Sequence, residues 1–554
     1  MAKDVSWTGC AHIKGSTKSQ RMAMLTFCLI GLQFTWGVEM TYFTPHLLQL
    51  GLAKSQTSLV WIAPPLSGLI VQPIVGTISD SSRLRWGRRR PYMLSCSIAV
   101  AACLCTLAWS SEVVGVFARD EKMADKLNVA LAIFCIYAVD FAINAVQATA
   151  RSLIVDTLPE SQQQLGSAWA GRMLGLGHVS GYFIGTVNLM KYFGTWLGGS
   201  QFKQMCMIAS TTIISCTAIT CYCVEERVLV SKHIEDGRSR IWKVFTTIIA
   251  TTLHLPNKIR AVCWITFWSW IGWSPFFVYG TTWVGETYYR QDARKAHELD
   301  ISKDVVGDIA RKGSLALVLF SLISFAGSVF LPWVVESPSD NDVQSTRGVT
   351  GRLNPVRSLL QKYQMAITTA WGLSQMAFAF SMILAPFSKS FLFSTTLIAF
   401  CGIPWAMYGW APLAILGEEI NKLEDPQRSQ PSSPIDRDDD SELTSLQPNP
   451  EHVMAATSTT QDEEDAVSPT AGIYLGIWNI FATIPQFLAT FIAMITFSIL
   501  EPGKSPELSK GGGGKEDNTS KKPASGLSGT AVCLAIGAVC SFVAAVRTFR
   551  LRRT

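Results

Sequence analysis

The chain has 554 residues, of which 48% are hydrophobic and 16% charged, with eighteen Trp, twenty-eight Phe and a formal net charge of +6. That is membrane usage rather than soluble globular usage. The most basic stretch, RLRWGRRRPYML at 83–94, lies between two apolar walls, so it is read as a cytoplasmic-loop signal, and nucleic acid is excluded as a partner.

In chain order, apolar spans fall near 22–50, 56–79, 91–110, 128–150, 167–190, 204–223, 261–283, 313–335, 363–386, 391–416, 471–499 and 529–546. Each is close to the roughly twenty residues that cross about 30 Å of hydrocarbon. The first is too long and too polar toward its end for a cleavable signal, so it is a membrane span. A polar break, EERVLVSKHIEDGRSRIWKVF at 225–245, divides the twelve spans six and six. The expected fold class is therefore an all-α membrane protein with twelve transmembrane helices in two six-helix bundles, 22–224 and 261–546, joined by a central loop at 225–260.

An even count of spans puts the terminal segments 1–21 and 547–554 on one side. Lys3, Lys14, Lys18 and Arg21 at the start and Arg547, Arg550, Arg552 and Arg553 at the end make that side cytoplasmic by the positive-inside rule. The arginine loop, the central loop and RGVTGRLNPVR at 347–357 fall on the same side. Asn518-Thr519-Ser520 lies in the last outside loop, as a glycan acceptor or by chance. The cysteines lack metal-ligand spacing and read as small buried apolar residues, so no disulfide or metal is expected. Residues 418–468 hold fourteen Asp/Glu against three Lys/Arg and are expected to form a disordered cytoplasmic loop. It is either a passive linker or a target of a regulatory kinase or the ubiquitin machinery.

The fourth span carries the sharpest signal. In NVALAIFCIYAVDFAINAVQATAR, Asp140 lies twelve residues from Asn128 and eleven from Arg151, about 16 to 18 Å from each at a helical rise. This is the bilayer midplane. Asp140, Asn144, Gln147 and Arg151 follow i, i+4, i+7 and i+11, which stacks them on one helical face. A carboxylate there costs about 2.5 to 3.5 kcal/mol to insert, so it faces a partner or a polar cavity. Similar stripes occur at Thr35, Glu39, Tyr42 and His46 in the first span and at Asn479, Thr483, Gln486 and Thr490 in the eleventh. Trp36, Trp61, Trp264, Trp268, Trp270, Trp273 and Trp283 accompany them. Indoles stack on the C–H faces of sugar rings while acids and amides meet the hydroxyls, so this mixture suits a carbohydrate; anchoring at the membrane interface explains some tryptophans equally well. In the fifth span, glycines at 171 and 175 and at 177, 181 and 185 suit close helix packing, and Arg172 or His178 could pair with Asp156 or shuttle protons.

No G-x-x-x-x-G-K-[ST] occurs, and Gly511–Lys515 is followed by Glu516, which excludes an ATP-driven pump of the P-loop kind. H-E-x-x-H and G-x-S-x-G are absent as well, so no enzyme is expected. Secondary transport is the main reading. A non-transporting sensor is the alternative from another class.

Gly76, Asp80, Gly87, Arg88, Arg89, Arg90 and Pro91 resemble the loop between helices two and three of the major facilitator superfamily, in the R-x-G-R-R-R-P form of sucrose/proton symporters. LQFTWGVEMTYFTPHLLQLGL at 32–52, VWIAPPLSGLIVQPIVG at 60–76 and AGIYLGIWNIFATIPQ at 471–486 are similar to helices one, two and eleven of those carriers. The resemblance spans essentially all twelve apolar stretches. It implies a proton-coupled symporter of sucrose or a related α-glucoside such as maltose, with H+ as coupling ion, no cofactor, and a plasma-membrane location; a sugar sensor or a carrier of monosaccharides or polyols is the alternative. Asp140 matches the family's charged residue of helix four, implicated in proton coupling and sugar binding, Arg151 matches its partner, and Arg311 matches a helix-eight arginine. Glu39 joins the coupling group, and Gln33, Trp36, Asn144, Gln147, Trp283 and Asn479 are the expected sugar contacts. Asp80, Arg88, Arg89 and Arg90 are expected to gate the cytoplasmic end, pairing with acids such as Asp156. The chain departs from the plant members at Tyr279-Gly280-Thr281-Thr282-Trp283-Val284-Gly285, and the plant first-loop histidine has no counterpart near Lys54. The Gly-Thr-Thr sequence and Glu39 look more like the fungal and animal branches.

Overall fold

The computed structural model describes residues 6–8, 11–80, 82–118, 120–231, 246, 248–288, 305–336, 365–424, 471–501 and 528–551. Eleven helices are long and apolar enough to cross a membrane. We label them with one further long helix, in chain order: α1 Lys18–Gln49, α2 Lys54–Gly76, α3 Arg90–Ala108, α4 Glu121–Thr157, α5 Glu160–Thr186, α6 Gln201–Cys223, α7 Asn257–Thr287, α8 Ile309–Leu331, α9 Ile367–Phe387, α10 Phe391–Ile420, α11 Ile473–Leu500 and α12 Gly529–Leu551.

The exception is α5, the expected fifth span. It is long enough, but its glutamines, Arg172 and His178 make it too polar to count by composition. Its position explains this, because it packs between α1 of the first half and α8 of the second. A Cβ on Gly177 would lie 2.7 Å from the Ile30 carbonyl oxygen, and one on Gly175 would lie 2.9 Å from the Phe325 ring. The small residues let two backbones approach, as the spacing predicts.

Local sequence sets the helix starts. Thr17 caps α1, accepting from the Gln20 N–H at 3.2 Å while Gln20 reaches back; Ser200 caps α6; Pro91 occupies the first turn of α3. Several expected continuous spans are interrupted. Residues Glu39–Phe43 of α1 form a π turn, α2 breaks between Val60 and Ala63, and α10 breaks between Phe400 and Gly402 and again between Tyr408 and Ala411. The first half packs around Phe34, Val38, Leu104, Val139 and Ile143. The second has an aromatic core of Trp273, Phe276, Phe378 and Trp283, with Trp273 and Phe378 rings 4.1 Å apart.

The all-α architecture holds, with short strand pairings where the chain leaves a helix. Strands β1 Ser6–Thr8 and β2 His12–Ile13 pair antiparallel with β4 Val228–Ser231 and β3 Val224–Glu225, and Val335–Glu336 pairs with Met365–Ala366. Backbone pairing satisfies chain that leaves a helix without continuing one. The N-terminal segment is thereby laid on the start of the central loop. The acidic segment expected to be disordered from 418 is helical to Glu424, with Lys422 bonded to Glu418 at 2.5 Å; its remainder, like Asn518 and the 347–357 loop, lies outside the described residues.

The arginine loop is built into this same end, hereafter the termini end. The backbone N–H groups of Arg88, Arg89 and Arg90 donate to the Glu226 carboxylate at 2.9, 2.8 and 2.8 Å. Gly87 makes the turn at φ +109, and a Cβ there would lie 2.9 Å from that carboxylate, so glycine is required both for the angle and for the space. The Arg88 and Arg89 guanidinium groups each reach Asp156 at 2.8 Å, and Arg89 also bonds Ser79.

Two outcomes follow from this packing. Gly177→Leu overpacks the α1–α5 contact and lowers the stability by about 1–3 kcal/mol, read as a lower Tm in thermal unfolding of the purified protein. Glu226→Gln removes the charge from three backbone bonds and costs about 1–3 kcal/mol; a Tm equal to that of the parent would mean that the loop holds its shape without this carboxylate.

Candidate functional site

Helix α4 delivers its polar face as the spacing predicts. Asp140 is 0% exposed, and Asn144 and Gln147 are buried beside it. Asn144 donates to the Ser67 hydroxyl at 2.7 Å and to the Asp140 carbonyl at 3.0 Å. Gln72 donates to the side-chain oxygens of Asn144 at 3.2 Å and Gln147 at 3.3 Å. Ser67 and Gln72 of α2 were not singled out from the sequence. The signal available was two polar side chains in an otherwise apolar span, with nothing to say that they meet α4. Arg151, at the far end of the same stripe, is exposed.

The side chain of Glu39, 1% exposed, meets that of Asp140. No hydrogen-bond partner reaches any of the four carboxyl oxygens among the described residues. An ionised carboxylate only accepts, so a bond between two carboxyls requires a proton on one of them. The local backbone serves this contact, because the π turn begins at Glu39. Such turns are rare inside α-helices and concentrate at functional sites.

The other expected residues divide. Gln33 is bonded to His178 of α5, and the Trp36 indole N–H is buried without a partner among the described residues. Tyr42 and His46, on the same stripe as Glu39, do not face the acid pair: the Tyr42 hydroxyl donates to the Gly185 carbonyl at 2.9 Å, and His46 stacks on Phe202 at 4.1 Å. They fasten α1 to α5 and α6. Asn479 is half-buried on α11. Trp283 is packed in the aromatic core of the second half, so as an expected sugar contact it is misplaced: a large indole on a fully enclosed helix face fills the core. Arg311 lines a hollow of about 400 Å³ with Thr186, Lys312 and Leu315, away from the acid pair.

Of the expected gate contacts, Arg88 and Arg89 reach Asp156, and Glu226, not foreseen from the sequence, joins them with Arg90 Nε 3.6 Å away. Asp156 belongs to α4 and Glu226 sits at the very start of the central loop, just past α6, so these bonds brace the first half and do not reach the second. The side chain of Asp80 lies outside the described residues. Arg172 lies over the Trp169 ring at 5.1 Å, while Asp156 is taken by the arginine loop.

Chemically the site offers a buried pair of acids able to hold and release a proton, a set of amides and a hydroxyl suited to polar hydroxyl ligands, and one indole with a free N–H. The comparisons agree with a carrier. The family described as MFS/sugar transport protein matches residues 24–270. A general alpha-glucoside permease of Schizosaccharomyces pombe is 31% identical over 533 residues, 87% of each chain. A sucrose transport protein of Arabidopsis thaliana is 26% identical, covering 71% of this chain and 76% of the relative. Among solved structures, a D-xylose-proton symporter aligns at TM-score 0.51 with 14% identity over 96% of this chain and 97% of its own. A nucleoside transporter aligns at 0.53 with 10% identity over 96% and 99%. The last two speak for the fold alone. With its two helical halves, its arginine loop and a relative of this identity along most of its length, the chain belongs to the MFS/sugar transport protein family of the major facilitator superfamily and is a membrane transporter, not an enzyme.

Proposed function

We propose that the protein is a proton-coupled symporter that carries sucrose or a related α-glucoside such as maltose across the plasma membrane, by alternating access of its two halves. The observation that carries this reading is the contact between Glu39 and Asp140 at the midplane, next to the amides of Asn144, Gln147 and Gln72. The permease relative supports the substrate class. The termini end is cytoplasmic in this reading, by its arginines and lysines.

In the mechanism, the acid pair takes a proton when the site opens outward, and sugar hydroxyls bond to the protonated pair and to the neighbouring amides. Trp36 offers its indole face and its free N–H to the ring. With the charge neutralised, the loaded site crosses the apolar barrier at lower cost than an ionised one. Opening at the cytoplasmic end brings water past Arg151, the sugar leaves, and the proton follows. Asn479 of α11 supplies a contact from the second half, so sugar and proton both bear on the junction between the halves.

Liposomes holding the purified protein test this directly. Labelled sucrose or maltose accumulates inside under an imposed proton gradient, and the gradient's collapse abolishes accumulation. Asp140→Asn keeps the shape and bonding capacity but cannot release a proton, so gradient-driven accumulation falls about tenfold or more, the size of an ordinary coupling energy, while sugar exchange persists. Wild-type accumulation by Asp140→Asn rejects Asp140 as the coupling group; specific sugar binding with no uptake by the parent protein favours a sensor.

A further inference from the structure

At the end opposite the termini, the two halves are joined by a charge cluster that the function above does not use. Lys54 is the first residue of α2, in the first half, and it is 4% exposed. Its ammonium lies 2.6 Å from Glu286 at the end of α7 and 2.5 Å from Glu501, just past α11, both of the second half. The contacts are close in distance but off the ideal hydrogen-bond angle, which marks them as ion pairs.

The three groups are not equivalent. Glu286 also accepts from the Thr530 hydroxyl at 3.3 Å, and Glu501 accepts from the Gly529 N–H at 2.7 Å. Both donors belong to the first turn of α12, where a helix favours negative charge. The second half thus holds its two carboxylates in place from its own side. Lys54, by contrast, sits at the first position of a helix, where a positive charge opposes the dipole. Neither helix stability nor solvation accounts for a buried lysine at that position; the facing acids do. Around it the halves are closed. Tyr279 donates to Ser58 at 2.8 Å and Thr281 to the Met40 carbonyl at 3.2 Å, and the crevice lined by Thr44, Lys54, Thr57, Thr282, Phe497 and Thr530 leaves no room for a water molecule.

We propose that Lys54, Glu286 and Glu501 form the outer lock of the transport cycle: a fixed acidic socket on the second half, and an ammonium on the first half that enters it when the outer end closes and leaves it when that end opens. The lock rests on the alternating-access reading. It also divides the charged clusters by task, since the arginine loop braces one half and the triad joins two. Removing the ammonium takes away the attraction that runs from the first half to the second, and the closed arrangement loses ground to the open one. A replacement that preserves one cation and two anions, in any order, keeps the lock.

A cysteine at Thr282, which is fully buried beneath the triad, reports opening of the outer end. Its labelling rate by a charged, membrane-impermeant thiol reagent is measured on purified protein in lipid nanodiscs, above the rate of the parent chain with its native cysteines. Lys54→Gln raises the rate about tenfold, the change expected when an equilibrium shifts by that factor. Glu501→Gln, which leaves the Lys54–Glu286 pair, raises it less and serves if Lys54→Gln does not yield folded protein. The double change Lys54→Glu with Glu286→Lys restores slow labelling. Equal rates with and without the Lys54→Gln or Glu501→Gln change overturn the lock, as does a charge-swapped protein as reactive as Lys54→Gln. Sugar uptake by the same preparation is scored separately. A labelling shift without uptake keeps the lock and rejects the carrier reading, while uptake without a shift does the reverse.

Discussion

The constraint that organises the first half is the burial of two acids with no cation on either among the described residues. Glu39 and Asp140 are nearly or fully inaccessible and lie side by side. A bilayer interior punishes unpaired polar groups, so the chain spends several helices on enclosing this contact. Helix α4 presents its amides beside the pair, α2 supplies Ser67 and Gln72 to hold those amides, and α1 gives up regular geometry at Glu39 to bring the second carboxyl into place. The neighbouring bonds of Tyr42 to α5 and Gln201 of α6, at 2.9 and 3.2 Å, fix the helix that carries the turn. The acid pair is therefore a property of three helices, and a substitution that loosens α1 against α5 reaches it without touching it.

How much of this was legible in the sequence follows from what a periodicity records. The spacing of Asp140, Asn144, Gln147 and Arg151 placed all of them on one face of one helix, and that face is where the structure has them. Periodicity says nothing of the helix opposite. Ser67, Gln72, Glu226 and Lys54 are partners supplied from elsewhere in the chain, and each is a single polar residue among apolar or charged neighbours with no distinctive spacing. The stripe of α1 failed for a related reason: the π turn inserts an extra residue into the repeat, so Glu39 faces the acids while Tyr42 and His46 turn toward α5 and α6. Trp283 shows the ambiguity of a large aromatic in a span, since enclosure by protein and contact with a ligand leave the same composition. Apolar length located α10 but not its breaks at Cys401 and Gly409, because a span counts hydropathy and not backbone continuity.

The least apolar long helix is also the most informative. A lipid-facing helix carries an arginine and a histidine such as Arg172 and His178 through hydrocarbon only at high cost. Helix α5 lies between α1 and α8, and its glycines bring it into backbone contact with the first and against Phe325 and Ser314 of the second. Small residues at such a seam leave few side chains to interdigitate, and a seam of this kind tolerates sliding or rocking better than a ridged one. Low hydropathy in this segment is therefore a consequence of its place at the junction of the halves.

The placement of charge separates what stays from what must come apart. At the termini end, Asp156 of α4 and Glu226, just past α6, bind the arginine loop to the first half through backbone and guanidinium groups together. Those bonds can survive a rigid-body rotation of the half, since all their atoms move together. At the opposite end, the ion pairs of Lys54 run from one half to the other, so no rotation that opens that end can keep them. Two charged clusters of similar strength thus differ in consequence solely by whether they lie within a body or between bodies. Between them lies the acid pair, held by the first half alone and screened from the outer end by the closed crevice.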